Sequence, residues 1–597
     1  FPISSIKNAR LVVDKLYRYV HDKDFSSWKN NICIAADDGD EAIHAEQADR
    51  GSDTLLLKNT SQPRLGFRVN KIYIDSYYMD PQTKKYPEAN RELMKQFNEG
   101  MLVFNYIGHN DPEVGFTGEG LFSRYEMDHL TNTRLPLFIT ITCDYCQFDA
   151  EDVSAGENVF LNPSAGAIAL ITTTRVVYTD GNDKINQRLM KRLLERDSNG
   201  SPLRIGDVLK LAKRDFNTEI DKNKLNYVLI GDPALKLAYP EHSIQVTRIN
   251  GNSGEKNIEM IPGKNYTVEG EIRSHQNELL SDFNGYIYYN LYDKEKQFTT
   301  LAHQDKKTWT YMHRPDLLTT GKGTIQNGTF RNTVALPIDN SHSGKSGLLN
   351  LYAYDESGRE ANGYTDKLIV STAVEPITED IQGPDIEFAG INDDSFTEGI
   401  LVNNPATFVC KFSDPSGIWS GNSLGKQMTL SLDGACIEEN VARYYKPIAE
   451  SEIPEGEFIY PLPRLSNGLH TLTFKVFDTL GNSSEVTIAF EVKENSETYT
   501  ISLEEEPATE RATISCQDQN GNDVTESKHT RISVTNTLGE EIWSYETTEN
   551  NLFPLTWNLQ DNNGKRVSAG QYYCKGYFET SAGTIVTPAK KIVVITQ

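Results

Sequence analysis

The chain has 597 residues, and its 84 Asp+Glu against 59 Lys+Arg leave a formal net charge of −25. That length calls for several domains, each with its own apolar interior, and the acidic balance argues against nucleic acid as a main partner. No stretch holds the roughly 18 successive apolar residues needed to cross a bilayer as a helix, and seven cysteines without a repeating spacing do not make a disulfide framework.

The opening Phe1-Pro2 carries no signal-peptide pattern, so an upstream segment holding any targeting signal is expected. In "IKNARLVVDKLYRYV", Ile6, Ala9, Val13, Leu16, Tyr17 and Val20 recur at spacings of three and four, which predicts a helix with these residues on its buried face. "ICIAADDGD", "KIYID", "MLVFNYIGH", "PLFITITCDYC", "GAIALITTTR" and "NYVLIGDPAL" follow as short apolar runs ending in polar or glycine residues. Such runs read as fully buried strands. With intervening helices such as Lys184 to Glu195, they predict an α/β domain over residues 1–240 with a mostly parallel sheet covered on both faces. Reactive groups in such sheets gather where strands end, and His109 and Cys143 both fall there.

Beyond residue 240 the helical periodicity gives way to alternating runs such as "GYIYYNLYD", "LLNLYAYDESG", "HTLTFKVFDTLG" and "TRISVTNTLG", separated by Gly, Asn, Asp and Ser turns. These predict β-sandwich domains at 241–378, 379–494 and 495–597, with linkers at "STAVEPITED" (371–380) and "KENSETY" (493–499). Asp355-Glu356-Ser357-Gly358, Asp478-Thr479-Leu480-Gly481 and Asn536-Thr537-Leu538-Gly539 each follow an alternating strand. The expected form is a turn whose Asp or Asn bonds its own backbone, with Gly at positive φ.

A cysteine nucleophile needs a base to take its proton and an orienting group for that base. His109 and Cys143 are the candidates, although a lone His and a lone Cys are more often structural. Cys143-Asp144-Tyr145-Cys146 has no second CxxC to complete a zinc site. The dense carboxylates of Asp37 to Glu46 read as a solvated loop or, alternatively, as a structural calcium site; no cofactor is otherwise required.

"NYIGHN…LPLFITITCDYC", followed by "GAIALITTT" and "YVLIGDPAL", resembles the gingipain-type (C25) cysteine peptidases, which have a caspase-like fold. In that family the histidine follows a Gly at one strand end, and the cysteine lies beyond a Leu-Pro pair, here Leu135-Pro136, at the next. The resemblance implies Cys143 as nucleophile and His109 as general base. It also implies Asp38 as orienter with Asp37 in reserve, and backbone N–H groups of Asn110 and Cys143 as the oxyanion hole. Asn110 stands where the family usually has Gly, and Cys146 is a second thiol able to compete with Cys143 or pair with it. The pocket for the residue before the cleaved bond corresponds to Val177, Tyr178 and Thr179. An aromatic frequent in gingipains is missing there, so no Arg or Lys preference is implied.

The C-terminal "TWNLQDNNGKRVSAGQYYCKGYFE" resembles FlgD-type immunoglobulin-like modules through Trp557, Asp561, Gly564, Ala569, Gly570 and Tyr572. With the opening "FPISSIKNARLVVDKLYRY", "SWKNNICIAADDGD" and "HAEQAD", the whole chain is similar to the sortase branch of the gingipain-like peptidases, which serves type IX secretion in Bacteroidetes. That likeness implies a cell-surface, outer-membrane-associated enzyme acting on secreted cargo with C-terminal sorting domains. It further implies lipopolysaccharide as acceptor and an outer-membrane β-barrel partner. The family's sheet also has strands upstream of the first helix, so part of the peptidase domain is expected to precede Phe1. A general secreted protease and a non-catalytic surface scaffold are the alternatives.

Overall fold

The computed structural model describes residues 1–595 except 59, 61–62, 111–114, 117–119, 217–221, 304–305, 339–344, 372–379, 393–400, 403, 422–424, 439, 449–452, 493–498, 505–506, 519–521, 526, 537–540, 551 and 581–582. Six apolar runs form one sheet: β1 (Asn31–Ala36), β2 (Arg68–Tyr73), β3 (Val103–Ile107), β4 (Leu137–Ile141), β5 (Ala169–Thr173) and β6 (Tyr227–Ile230). Their order is β2-β1-β3-β4-β5-β6, and all pair in parallel except β6, which runs antiparallel to β5. Ile32, Ile34, Val103, Ile107, Leu137, Ile139 and Ile141 face one apolar layer, whereas Cys33, Ala35, Phe104, Tyr106 and Phe138 face the other. The period of two along each strand therefore serves two cores.

Helices cover both faces. With α1 (Ile6–Val20), α2 (Ile43–Leu55), α3 (Pro87–Glu99), α4 (Ala155–Leu161), α5 (Thr179–Leu193) and α6 (Ile205–Arg214) in chain order, α2, α5 and α6 pack on the first face and α3 and α4 on the second. The buried face expected for α1 is corrected. Ile6, Val13, Tyr17 and Val20 are exposed, and Val12, Lys15 and Tyr19 are buried instead. Lys15 sets this rotation: its ammonium donates to the carbonyls of Phe160, Asn162 and Ala165 at 3.0, 3.0 and 2.7 Å, and so caps the end of α4. Burial, with Arg18 nearby, lowers the Lys15 amine to about 7.

The strands between His242 and Val370 form mainly one eight-stranded sheet. Ala361–Gly363 pair in parallel with His242–Ile244, so this sheet closes on itself rather than leaving two open edges. A two-stranded arm, Lys296–Thr299 with Thr310–His313, leaves this domain and grips the peptidase domain. Tyr311 donates to Ser76 Oγ at 3.0 Å, Lys71 to the Met312 carbonyl at 2.9 Å, and His303 Nδ1 lies 3.0 Å from Asp75. Elsewhere on the boundary, Lys29 pairs with Glu360 at 2.7 Å.

Two sheets spanning Asp385–Val492 enclose a core around Phe408, Phe458 and Phe474, and two more spanning Thr500–Val594 enclose one around Trp557 and Phe578. Both are β-sandwiches. The recurring turn has its expected form twice: Asp355 accepts from the N–H groups of Ser357 and Arg359, and Asp478 from those of Leu480 and Asn482. Gly358 and Gly481 take φ of +87° and +89°. The third turn lies at 537–539, and both expected linkers fall largely at 372–379 and 493–498, outside the described residues.

Asp414 sits buried beside Asp478 and Asp380. Burial and these two carboxylates raise its carboxyl to about 6, against hydrogen bonds from the Ser416 and Gly417 N–H groups. A carboxyl raised on folding contributes stability that is full below its unfolded pKa and is lost as pH rises through the folded value. Asp414→Asn therefore raises the melting temperature of this domain at pH 8 by about 2–4 °C and changes little at pH 4. Calorimetry at the two pH values checks this; an equal gain at both would remove the titration argument.

Candidate active site

Strand register brings the two candidate residues to neighbouring strand ends. Ile107 pairs with Ile141 across β3 and β4, and the Gly108 N–H continues the ladder to the Ile141 carbonyl at 3.3 Å. His109 and Cys143 each lie two residues past that pair. They continue the odd-numbered face that carries Val103, Ile107, Leu137 and Ile141, and Cys143 packs against that same layer. Asn110 Nδ2 donates to the Cys143 carbonyl at 3.2 Å and ties the two strand ends together.

The Cys143 sulfur faces the backbone of Val177: the Val177 N–H and carbonyl each lie 3.5 Å from Sγ. Val177 is buried, Tyr178 is exposed, and Thr179 opens α5. The segment is anchored from behind, because Tyr178 N–H donates to Asn223 Oδ1 at 3.1 Å and Asn226 Nδ2 to the Val176 carbonyl at 3.0 Å. Of the three expected pocket residues, the structure sets Val177 against the thiol and leaves the Tyr178 ring on the rim.

Cys146 is fully buried on the opposite face of the sheet, among Ala155, Val159 and Phe160. Burial pushes its thiol up to about 12. All seven cysteines are free, and the sheet itself separates Cys146 from Cys143, so the pairing expected as an option is not formed. A buried, strongly protonated thiol is a poor nucleophile.

The carboxylates after β1 are distributed differently from the sequence expectation. Asp37 continues the ladder, donating from its N–H to the Ile107 carbonyl at 3.2 Å, and the chain then turns out of the sheet. Strand parity is lost there, so Asp38 does not follow Ala36 toward His109. Its carboxylate accepts from Tyr86 Oη at 2.6 Å on the other face. Asp37 takes the central place instead. One oxygen accepts the His109 backbone N–H at 2.6 Å, and the other closes on Nδ1 of His44. Gly108 permits this approach, since a Cβ there would stand 2.5 Å from the Asp37 carboxyl.

Two residues missing from the sequence reading complete the cluster. His44, buried on α2, presents its ring edge-on to His109 at a centroid distance of 5.0 Å. Asp40 Oδ2 lies 3.5 Å from His109 Nε2 and 3.7 Å from His44 Nε2. Burial alone would lower the His44 pKa and raise that of Asp37. Their mutual attraction wins, so His44 is held above its ordinary value and Asp37 below. The available signal was the Asp40–His44 spacing of four at a helix start. Asp40, Glu41 and Ala42 take successive φ of +57°, +58° and +64°, a run that costs non-glycine residues roughly 1–2 kcal/mol each. In the acidic loop, read as solvated or alternatively as a calcium site, Asp37 is gathered with two imidazoles, while Glu46 pairs with Arg50.

A thiol and an imidazole thus stand at neighbouring strand ends of a sheet covered on both faces. Residues 1–238 match the model of peptidase family C25. Among solved structures, the chain is similar to dimeric latent PorU from Porphyromonas gingivalis, at 18% identity over 95% of this chain and 64% of that one, with a TM-score of 0.31. It is also similar to the RgpB pro- and mature domains from the same organism, at 16% identity over 62% of this chain and 75% of that one, with a TM-score of 0.32. The chain thus spans 64% of the PorU chain. No curated protein matches.

Proposed function

We propose that the chain is a cell-surface cysteine endopeptidase of the sortase kind, which removes the C-terminal sorting signal of type IX secretion cargo and passes the new carboxyl end to a lipopolysaccharide amine. The observation that supports the peptidase reading is the register of β3 and β4, which pairs Ile107 with Ile141 two residues before His109 and Cys143. In the proposed reaction Cys143 Sγ attacks the scissile carbonyl and its proton passes to His109. The tetrahedral oxyanion meets the backbone N–H groups of Cys143 and Asn110, and collapse of the intermediate expels the sorting domain as an amine that takes the proton back. A second nucleophile, an amine or water, surrenders its proton to His109 and releases the thioester.

The sortase assignment rests on the sequence likeness, which runs from "FPISSIKNARLVVDKLYRY" to the FlgD-type ending. On this reading an outer-membrane β-barrel partner holds the enzyme at the surface; no helix of the described residues is long and apolar enough to cross a membrane.

The test is mass spectrometry of a surface cargo's C-terminus in a sortase-null strain complemented with the full-length parent or its Cys143→Ala form. Removal of the sorting domain by the parent alone, with lipopolysaccharide on the new C-terminus, supports the whole reading. Removal with a free carboxylate restricts it to hydrolysis, and identical processing by both forms overturns it.

A further inference from the structure

The cluster beside His109 has donors for more than an orienting role. His44 and His109 each offer a ring nitrogen, and Asp37 a carboxylate oxygen, all within 4.8 Å of one another. Asp40 Oδ2 stands 3.7 Å from His44 Nε2 and 3.5 Å from His109 Nε2. A tetrahedral cation with ligands near 2.0–2.1 Å has ligand-to-ligand edges of about 3.3 Å, close to the two separations that Asp40 Oδ2 makes. His44 is oriented for it, and binding displaces the Nε2 proton to solvent. Asp37 engages Nδ1, the outer carboxylate arrangement that fixes a ligating imidazole and directs Nε2 to a metal. His44 is 5% exposed, and among the described residues Nε2 makes no hydrogen bond. His109 and Asp40 are more than half exposed, so a cation has an open route.

We infer that His44 Nε2, His109 Nε2 and the Asp40 carboxylate form a site for a zinc-class divalent cation, and that its occupation reversibly silences the peptidase. Two imidazoles with one carboxylate suit zinc and exclude a dedicated calcium site, which takes six to eight oxygens. The cation occupies the lone pair with which His109 accepts the proton of Cys143, so the thiol stays protonated. The silencing rests on the proposed role of His109 as base; the binding does not.

The two parts are measured separately on the full-length chain. With Cys143→Ala in the background, removing the thiol as a ligand and all turnover, zinc is titrated against a chromogenic chelator. One equivalent per chain is expected, bound at least about tenfold more weakly when His44→Gln or Asp40→Asn is added. Asp40 is half exposed, so its variant tests the site even where the buried His44 variant fails to fold. Unaltered affinity in the folded variants, or no binding without the thiol, overturns the site. With Cys143 intact, zinc should suppress peptide turnover and a chelator restore it. Binding without suppression overturns the switch, and the binding arm decides the site even if no peptide is turned over.

Discussion

Cys143→Ala lowers peptidase turnover by at least about 10³-fold while the melting temperature stays within about 2 °C of the parent. On the proposed mechanism the Cys143 thiol forms the acyl intermediate, so its loss removes the reacting group. The residue is partly exposed, and its sulfur makes weak 3.5 Å contacts to the Val177 backbone, so folding loses little. Cys146→Ala gives the opposite pattern. Its thiol is packed so closely that a Cβ on Gly156 would stand 2.7 Å from the Cys146 Cβ. The substitution leaves a small cavity costing about 1 kcal/mol, and most turnover remains. Steady-state kinetics with a peptide, beside thermal unfolding of both variants, checks the pair. Turnover lost with Cys146 and kept without Cys143 would reverse the assignment.

What the sequence disclosed about this site follows from locality. The period of two in "MLVFNYIGH" and "PLFITITC" marks the strands, and parity carried two residues past each end puts His109 and Cys143 on one face, where the structure has them. The resemblance points to Asp38 with Asp37 in reserve, and the structure puts the reserve beside His109, because the chain leaves the sheet at Asp37 and Tyr86, 48 residues away in sequence, claims the Asp38 carboxylate. His44 was hidden for a related reason. On a helix flanked by Ala45 and Ala48 it reads as one more residue of α2, and its partner becomes visible once β1 and α2 are folded together. The rotation of α1 has a similar origin: the apolar periodicity predicts Ile6, Val13, Tyr17 and Val20 inward, yet carbonyl acceptors at Phe160, Asn162 and Ala165 draw Lys15 in. Closure of the first β domain depends on a pairing between His242–Ile244 and Ala361–Gly363, over a hundred residues apart, which alternation within strands does not encode.

Asp37, taken as the orienting carboxylate of the proposed mechanism, gives the second large effect. Asp37→Asn lowers kcat by about 10²-fold with KM little changed, and it costs roughly 2–4 kcal/mol of stability, because it leaves a buried imidazolium without its counter-charge. Asp38→Asn, whose neighbour is Tyr86, changes kcat by less than about threefold. The reasoning lies in what Asp37 holds: the backbone N–H of His109 at 2.6 Å and the ring of His44, which meets the His109 ring edge-on. An amide can still accept one of these bonds, but it cannot hold the His44 charge. The pH dependence carries the sign. Asp37 is depressed on folding, so its contribution to stability is present above the unfolded carboxylate pKa and is lost as pH falls through the folded one. His44 is raised, so its contribution is full below the unfolded imidazole pKa and is lost as pH rises through the folded one. The parent therefore gains most from the pair between those limits, from about pH 4 to 6.5, and Asp37→Asn should lose most stability in that window. A kcat loss for Asp38→Asn matching that of Asp37→Asn would return the orienting role to Asp38. A stability deficit independent of pH would show that Asp37 acts through its hydrogen bonds alone.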